Sequence, residues 1–210
     1  MRALVTGASR GIGAAMLVEG RERGHDVLGT SRDGAHGLLR LDVTDTGLQT
    51  DCAAATGPID ALICNAGVYL DKGQSFSDLT AATLSATFAA NVTGVTLTVQ
   101  AQLRNLSKGG RIAVIASAMG QQSGAGGNAF AYRASKAAAI NLALNLAQTL
   151  RPQGIAVAAY HPGWVRTDMG GPGASLSVEQ SARGLWDRID ALDLDASGAF
   201  LNHDGTPLDF

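Results

Sequence analysis

Along the chain, short apolar runs that end in glycine or small polar residues alternate with longer amphipathic stretches. Ala-Leu-Val-Thr at 3–6 reads as a first strand, followed by glycine-rich residues and a helical pattern from about Gly11 to Arg23. DVLGTS at 26–31 is a second strand and GLLRLDV at 37–43 a third, with only a short connection between them. IDALICNAG at 59–67 supplies a fourth, and a long helical pattern runs from about Ala81 to Leu106. The fifth, GRIAVIAS at 110–117, ends in Ser117; a helix over roughly 129–150 precedes the sixth, GIAVAAYHPG at 154–163. A helix from Glu179 to Leu192 and a seventh strand in GAFLNHDG at 198–205 complete the pattern. Runs apolar on both faces, alternating with helices, imply a parallel sheet covered on both sides. No linker, repeat or second composition regime divides the 210 residues, so one doubly wound α/β domain with seven parallel strands is predicted over 1–210.

Sheets of this kind gather ligands at the carboxyl ends of their strands. Those ends are polar or glycine-rich here: Gly7 to Gly13, Ser31-Arg32, Asp42, Asn65-Ala66-Gly67, Ser117 and Pro162-Gly163. TGASRGIG at 6–13 lies between the first strand and the first helix. Gly7 permits a tight turn, Gly11 lets the backbone approach a pyrophosphate, and Gly13 allows close helix–strand packing, as in Rossmann-type domains. The free N–H groups and positive dipole end of the helix then favour an anion. Ser9, Arg10 and Ile12 complete the turn. The spacing G-x-x-x-G-x-G is a variant of the usual fingerprint.

The end of the second strand bears on cofactor choice. An acid there would bind the ribose 2′-hydroxyl of NAD. Ser31 stands at that position and Arg32 follows, while Arg10 can reach the same region. Two guanidinium groups clamp a 2′-phosphate, so NADP(H) is the preferred cofactor, with NAD(H) possible because Asp33 can pair with Arg32 or take the ribose itself.

Composition narrows the remaining classes. A hydrophobic share of 46% makes disorder unlikely to describe this chain. No run of about 18 apolar residues is present, so no membrane-spanning helix and no membrane partner are expected. The start, MRALVTGASRG, meets glycines and polar residues before a signal-peptide core can form, and a cytoplasmic protein is expected. A net charge of −2 offers no reason for a nucleic-acid partner. Of the two cysteines, Cys64 sits in an apolar run and reads as a buried thiol, and the four histidines are scattered, so no metal site is expected. Trp164 and Trp186 read as core or interface residues, although Trp164 lies close to the expected pocket.

One stretch carries candidate chemistry directly. In FAYRASKAAA, Tyr132 and Lys136 stand at i and i+4 among alanine and serine, on one helix face. The pair is either a surface tyrosine packed against a lysine stem or an acid with the cation that tunes it.

Taken in order, TGASRGIG (6–13), LDV (41–43), NAG (65–67), Asn91, Ser117, YRASK (132–136) and HPGWVRTDM (161–169) resemble the short-chain dehydrogenase/reductase family over essentially the whole chain. The ending GAFLNHDGTPLDF, the short Ser31-to-Asp42 connection and the compact stretch after Met169 resemble its branch of C-factor and sniffer-type carbonyl reductases. The resemblance implies that Tyr132 is the general acid/base, and that Lys136 binds the nicotinamide ribose and lowers the phenol's pKa. It implies that Ser117 bonds the substrate oxygen and that Asn91 holds a water continuing the proton relay. Leu41, Asp42 and Val43 would meet adenine, Asn65, Ala66 and Gly67 would border the cofactor, and Pro162, Gly163, Val165 and Thr167 would lie along it, the last two at the carboxamide.

The expected activity is reversible NADPH-dependent reduction of a small carbonyl compound to an alcohol. A nucleotide-binding signalling protein of C-factor type is the alternative. Residues 168–180, including GGPGASLSVEQ, are expected to form a short substrate loop, with Gly124 to Asn128 as another pocket wall. Alanine-rich faces at 134–150 and the helix before them suggest a homodimer, as among relatives, where monomers and tetramers also fit the resemblance.

Overall fold

Each strand forms where the chain is apolar enough to be buried on both faces, and the glycine or polar residue behind it marks the exit. The computed structural model describes residues 1–210. Its strands are β1 (Arg2–Val5), β2 (Asp26–Ser31), β3 (Leu39–Arg40), β4 (Ile59–Cys64), β5 (Leu106–Ile115), β6 (Ala156–His161) and β7 (Phe200–Asn202). All pair in parallel, in the order β3-β2-β1-β4-β5-β6-β7. The chain winds outward from β1 to β3 and then returns to β4 on the other side of β1. The carboxyl ends of β1 and β4 therefore flank the switch point, where a doubly wound sheet opens its crevice.

The helices are α1 (Gly11–Glu22), α2 (Thr46–Thr56), α3 (Ala81–Phe88), α4 (Gly94–Gln102), α5 (Phe130–Leu150) and α6 (Val178–Ala191). On one face of the sheet, Leu62, Cys64, Ile112 and Val114 pack with Val99, Ile140 and Ala143 from α4 and α5. On the other, Val5, Ile63 and Tyr160 pack with Met16 and Leu17 of α1 and Leu185, Trp186 and Ile189 of α6. Trp186 is fully buried and donates its indole N–H to the Met16 carbonyl at 2.9 Å, so it is a core residue. Trp164 is 57% exposed.

Three local expectations change. The third strand shrinks from 37–43 to two residues, because it is an edge strand paired only through Thr30–Leu39 and Ser31–Arg40. Beyond it, Asp42 accepts from the Thr44 N–H and hydroxyl, which turns the chain away. Helix α2 has no counterpart in the sequence pattern; its apolar face is weak, and its ends are set by Asp45, which caps Leu48 N–H at 2.9 Å, and by Gly57 at φ 65°. The long helix is not continuous: a π turn, Ala89–Thr93, separates α3 from α4.

By length and composition alone, the span Ala81–Asn105 contains an 18-residue window with a mean hydropathy of 1.2, a match that the core helix of a soluble protein also makes. The span carries buried Asn91, Thr98 and Gln102, each hydrogen-bonded within the protein, the last two to residues of α2.

Candidate active site

The glycine turn begins where β1 ends. Gly7 (φ 67°) lies so close to β4's exit that a Cβ there would stand 2.9 Å from Ala66 Cα. A Cβ on Gly13 would meet Asn65 Nδ2 at 2.6 Å. Asn65 itself joins the two strand ends: Nδ2 donates to the carbonyls of Thr6 (2.9 Å) and Gly7 (3.1 Å). Thr6 Oγ1 accepts in return from Asn65 N–H at 3.0 Å and Ala66 N–H at 3.1 Å. α1 starts immediately after, with Arg10 at its cap position, no side chain capping it and no acid in its first turn. Its leading N–H groups are thus left for an anion. This tight cradle fits the pyrophosphate of a dinucleotide.

At the end of β2, buried Ser31 donates its hydroxyl to Asp33 at 2.7 Å and accepts from Gly34 N–H at 3.0 Å. That bond, with one from Ala35 N–H, holds the Asp33 carboxyl below its ordinary range. Asp33 is therefore engaged with Ser31, and the alternative pairing with Arg32 does not form. Arg32 is exposed; its charge is the smallest influence lowering the Asp42 carboxyl, after the Thr44 bonds. Arg10 does not stand beside Arg32 but pairs with Asp168 on the loop after β6, with both side chains largely exposed. Leu41 is buried in the core, and Val43 lies against Gly94 at the start of α4.

Ser117 follows β5, and its Oγ accepts from Met119 N–H at 3.1 Å; its hydroxyl lies near the Tyr132 phenol and acts to lower the phenol's pKa. Tyr132 is buried, 7% exposed, at the start of α5. One turn on, Lys136 is equally buried; its Nζ donates to the Ile115 carbonyl at 2.7 Å and stands 5.7 Å from the Tyr132 ring centre. The expected lowering of the phenol's pKa is not what the protein itself produces. Burial pushes Tyr132 up to about 12, with Ser117 opposing and Tyr69 adding to the rise. Burial likewise pushes the Lys136 ammonium down to about 8. In both groups desolvation is the largest influence on the shift.

Asn91 sits in the π turn and is fully occupied. Its Oδ1 accepts from Val68 N–H at 2.8 Å, and Nδ2 donates to the Val68 carbonyl and to Ser135 Oγ, each at 2.9 Å. Gly67 lies between Asn91 and Lys136: a Cβ there would be 3.0 Å from Asn91 Oδ1 and 3.6 Å from Lys136 Nζ.

Past β6, Gly163 (φ 84°) turns the chain and Val165 is buried, bridged to Leu176. Thr167 donates to the Val165 carbonyl at 3.3 Å and reaches the glycine turn, where its Cγ2 would be 3.4 Å from a Cβ on Gly11. Lys72 Nζ donates to the Met169 carbonyl at 2.9 Å, tying this loop to the one after β4. His161 sits at the exit of β6 with its Nδ1 buried and unpartnered, and burial pushes the ring's pKa down to about 4.

A family model described as "short chain dehydrogenase" matches residues 1–175. The chain belongs to the short-chain dehydrogenase family. It is 42% identical over 155 residues to the protein named C-signal of Myxococcus xanthus, covering 72% of this chain and 92% of that one. It is 35% identical over 191 residues to the 3-oxoacyl-[acyl-carrier-protein] reductase FabG of Escherichia coli strain K12, covering 80% of this chain and 74% of that one. Among solved structures it resembles an NADPH-bound carbonyl reductase from chicken fatty liver, with a TM-score of 0.91 at 28% identity, covering 100% and 98% of the two chains. It also resembles the carbonyl reductase Sniffer of D. melanogaster, with a TM-score of 0.92 at 26% identity, covering 100% and 99%. The chain is thus an NAD(P)-dependent oxidoreductase of the short-chain type.

In this short-chain dehydrogenase the sequence-derived residues converge in two groups. Ser117, Tyr132, Lys136, Asn91 and Gly67 gather in one group, in which Asn91 reaches Tyr132 through Ser135, and Gly7, Gly11, Gly13, Asn65 and Thr167 form the cradle. Arg10 and Arg32 do not come together. Four residues at the site escaped the sequence reading. Thr6 and Ser135 lie inside motifs already quoted, so their place in those motifs was an available signal. Tyr69 stacks on the Tyr132 ring (centres 4.4 Å apart, 22° between planes) and Asp71 is 2% exposed, yet neither has a local pattern that marks it.

Proposed function

We propose that the protein is an NADPH-dependent carbonyl reductase in which Tyr132 gives its proton to the carbonyl oxygen. The gathering of buried Ser117, Tyr132 and Lys136, with the serine acting on the phenol and the ammonium 5.7 Å from the ring centre, carries this reading. NADP(H), when bound, supplies the hydride. The glycine cradle holds the pyrophosphate, Asp42 and Val43 meet adenine, and Arg32 meets the 2′-phosphate; Arg10 joins it on release from Asp168. Phosphate-bearing forms in related solved structures support the same preference.

With its pKa raised to about 12, the phenol stays protonated near neutrality, which is the form a reduction requires. As the proton leaves, negative charge on the tyrosine oxygen falls beside the Ser117 hydroxyl and one turn from Lys136. Ser117 also donates to the substrate oxygen as charge develops on it. Lys136 returns a proton to the site. The Asn91 amide is committed to Val68 and Ser135, so it ties the loop after β4 to α5 beside Tyr132.

Exposed Leu70, Trp164 and Met169 on the two loops tied by Lys72 favour an uncharged, apolar carbonyl substrate. Residues 168–180 form the substrate wall. Half-buried Leu142 and Leu146 on α5, beside α4, suit a homodimer, and free buried Cys52 and Cys64 suit a reducing cytoplasm.

The similarity to C-signal favours a second reading, nucleotide binding for signalling without turnover. Binding alone has no use for a buried phenol and ammonium held together. NADPH oxidation over a panel of ketones and aldehydes separates the two readings. Turnover by the wild type and a loss of about 1,000-fold in Tyr132→Phe are expected, with NADPH binding retained. Undiminished turnover in that variant overturns the proposal.

A further inference from the structure

Helix α5 carries the reacting phenol in its first turn, yet has no cap of its own. Its cap position is Ala129, held in a left-handed conformation (φ 52°) with no side-chain bond, and its first turn contains no acid. The leading N–H groups of a helix lack internal partners, and a polar cap residue normally accepts from the second and third. Here those residues are Ala131 and Tyr132. Asp71, on the loop after β4, supplies the acceptors from 60 residues away: Oδ2 takes Ala131 N–H at 2.8 Å and Oδ1 takes Tyr132 N–H at 3.2 Å. Asp71 makes no ion pair, so the helix end is its polar partner.

We propose that Asp71 is a positioning residue for Tyr132: its carboxylate caps α5 across the fold and sets the placement of the phenol against Ser117. The inference rests on reading Tyr132 as the proton donor.

The rest of the loop acts on the same residue. Tyr69 stacks on the Tyr132 ring. Val68 is gripped at both N–H and C=O by Asn91, Asn91 donates to Ser135 Oγ, and Ser135 Oγ donates to the Tyr132 carbonyl at 2.7 Å. Residues 68–71 thus fix the amide, carbonyl and ring of Tyr132, whose hydroxyl lies near Ser117. The negative carboxylate also suits the positive end of the helix dipole. Since the hydroxyl lies at the far end of the ring, a small tilt of the first turn is magnified there. A misplacement of about 1 Å costs on the order of 100-fold in rate.

The test compares Asp71→Ala and Asp71→Asn with the wild type and with Tyr132→Phe. Amide hydrogen exchange is read by NMR in the protein without cofactor, and kcat and KM are read with NADPH and the best carbonyl of the panel. Asp71→Ala should speed exchange at Ala131 and Tyr132 about tenfold. Its kcat should fall about 100-fold, with both KM values within about threefold of wild type. Asp71→Asn keeps one acceptor oxygen and should recover about tenfold of that loss; it also carries the comparison if the alanine variant does not fold.

Unchanged exchange at those two amides overturns the inference whatever the kinetics. So does a kcat within about twofold of wild type, or a fall in kcat matched by an equal rise in KM for NADPH, as a merely structural cap would give. If Tyr132→Phe turns over normally, the proton-donor reading fails instead, and the exchange data still report whether Asp71 caps α5.

Discussion

Tyr132 and Arg32 stand three strands apart on the same carboxyl edge, and the protein holds them in opposite ways. Around Tyr132 the amide, carbonyl and ring each have a protein partner, and the residue is 7% exposed. Arg32 is exposed, and Arg10, the other guanidinium expected there, is turned toward Asp168. The end proposed for proton transfer is thus held by partners within the protein, whereas the end proposed for phosphate recognition presents exposed charges. Preorganisation suits the first because small displacements are costly in rate. The second needs only attraction and a charge-assisted bond once the anion is present.

Asn91→Ala should show how far the assembled end depends on buried hydrogen bonds. It removes all three bonds of the amide and leaves the Val68 N–H and carbonyl without their partner. An unmade bond to a buried polar group costs about 1–3 kcal/mol, so a loss of about 2–4 kcal/mol in denaturant unfolding is expected. Turnover should drop as the loop carrying Tyr69 and Asp71 loosens. An Arg32 substitution should leave stability unchanged; a comparable loss there would erase the contrast.

The pH dependence of stability offers a second probe. The Lys136 ammonium is lowered from an ordinary 10.5 to about 8 by burial. Between those values the unfolded chain binds the extra proton, so this group makes unfolding harder as pH rises from about 8 to 10.5. The penalty for burying the charge is fully present below that window. Over 2.5 units the gain is of order 3 kcal/mol. Tyr132 opposes it only above pH 10, since its raised pKa of about 12 lets the native state keep a proton that the unfolded chain has lost. Urea unfolding of wild type and Lys136→Met at pH 7.5 and 9.5 should show the gain in the first only. Equal slopes would mean that the lysine is not desolvated as its burial implies.

The sheet was readable because strands buried on both faces leave unbroken apolar runs, as in ALIC at 61–64 and IAVI at 112–115. The missed α2 shows the limit: TGLQTDCAAAT has too little apolar contrast, and its boundaries rest on Asp45 and Gly57. At the site, Ser117, Tyr132 and Lys136 were legible because their chemistry is unusual at a strand end or on a small-residue helix. Asp71 was not, since its partners are backbone amides 60 residues away that no local spacing encodes. The raised pKa of Tyr132 was not legible for a related reason. Spacing gives proximity, but the sign of a pKa shift depends on burial, which the fold determines.

The smallest expected effect lies at the recognition end. Arg32→Ser should raise KM for NADPH about tenfold while leaving kcat, stability and KM for NADH nearly unchanged, as loss of one charge-assisted bond predicts. The effect should shrink with added salt, because an exposed charge is screened within about 10 Å at 0.1 M. An effect of equal size on both cofactors would assign Arg32 to the shared adenosine or pyrophosphate, leaving the 2′-phosphate to Arg10. Asp168→Asn would then matter, because freeing Arg10 from its ion pair should strengthen NADPH selectively. With both variants in hand, the ratio of NADPH to NADH specificity measures how recognition divides between two arginines that the folded chain keeps apart.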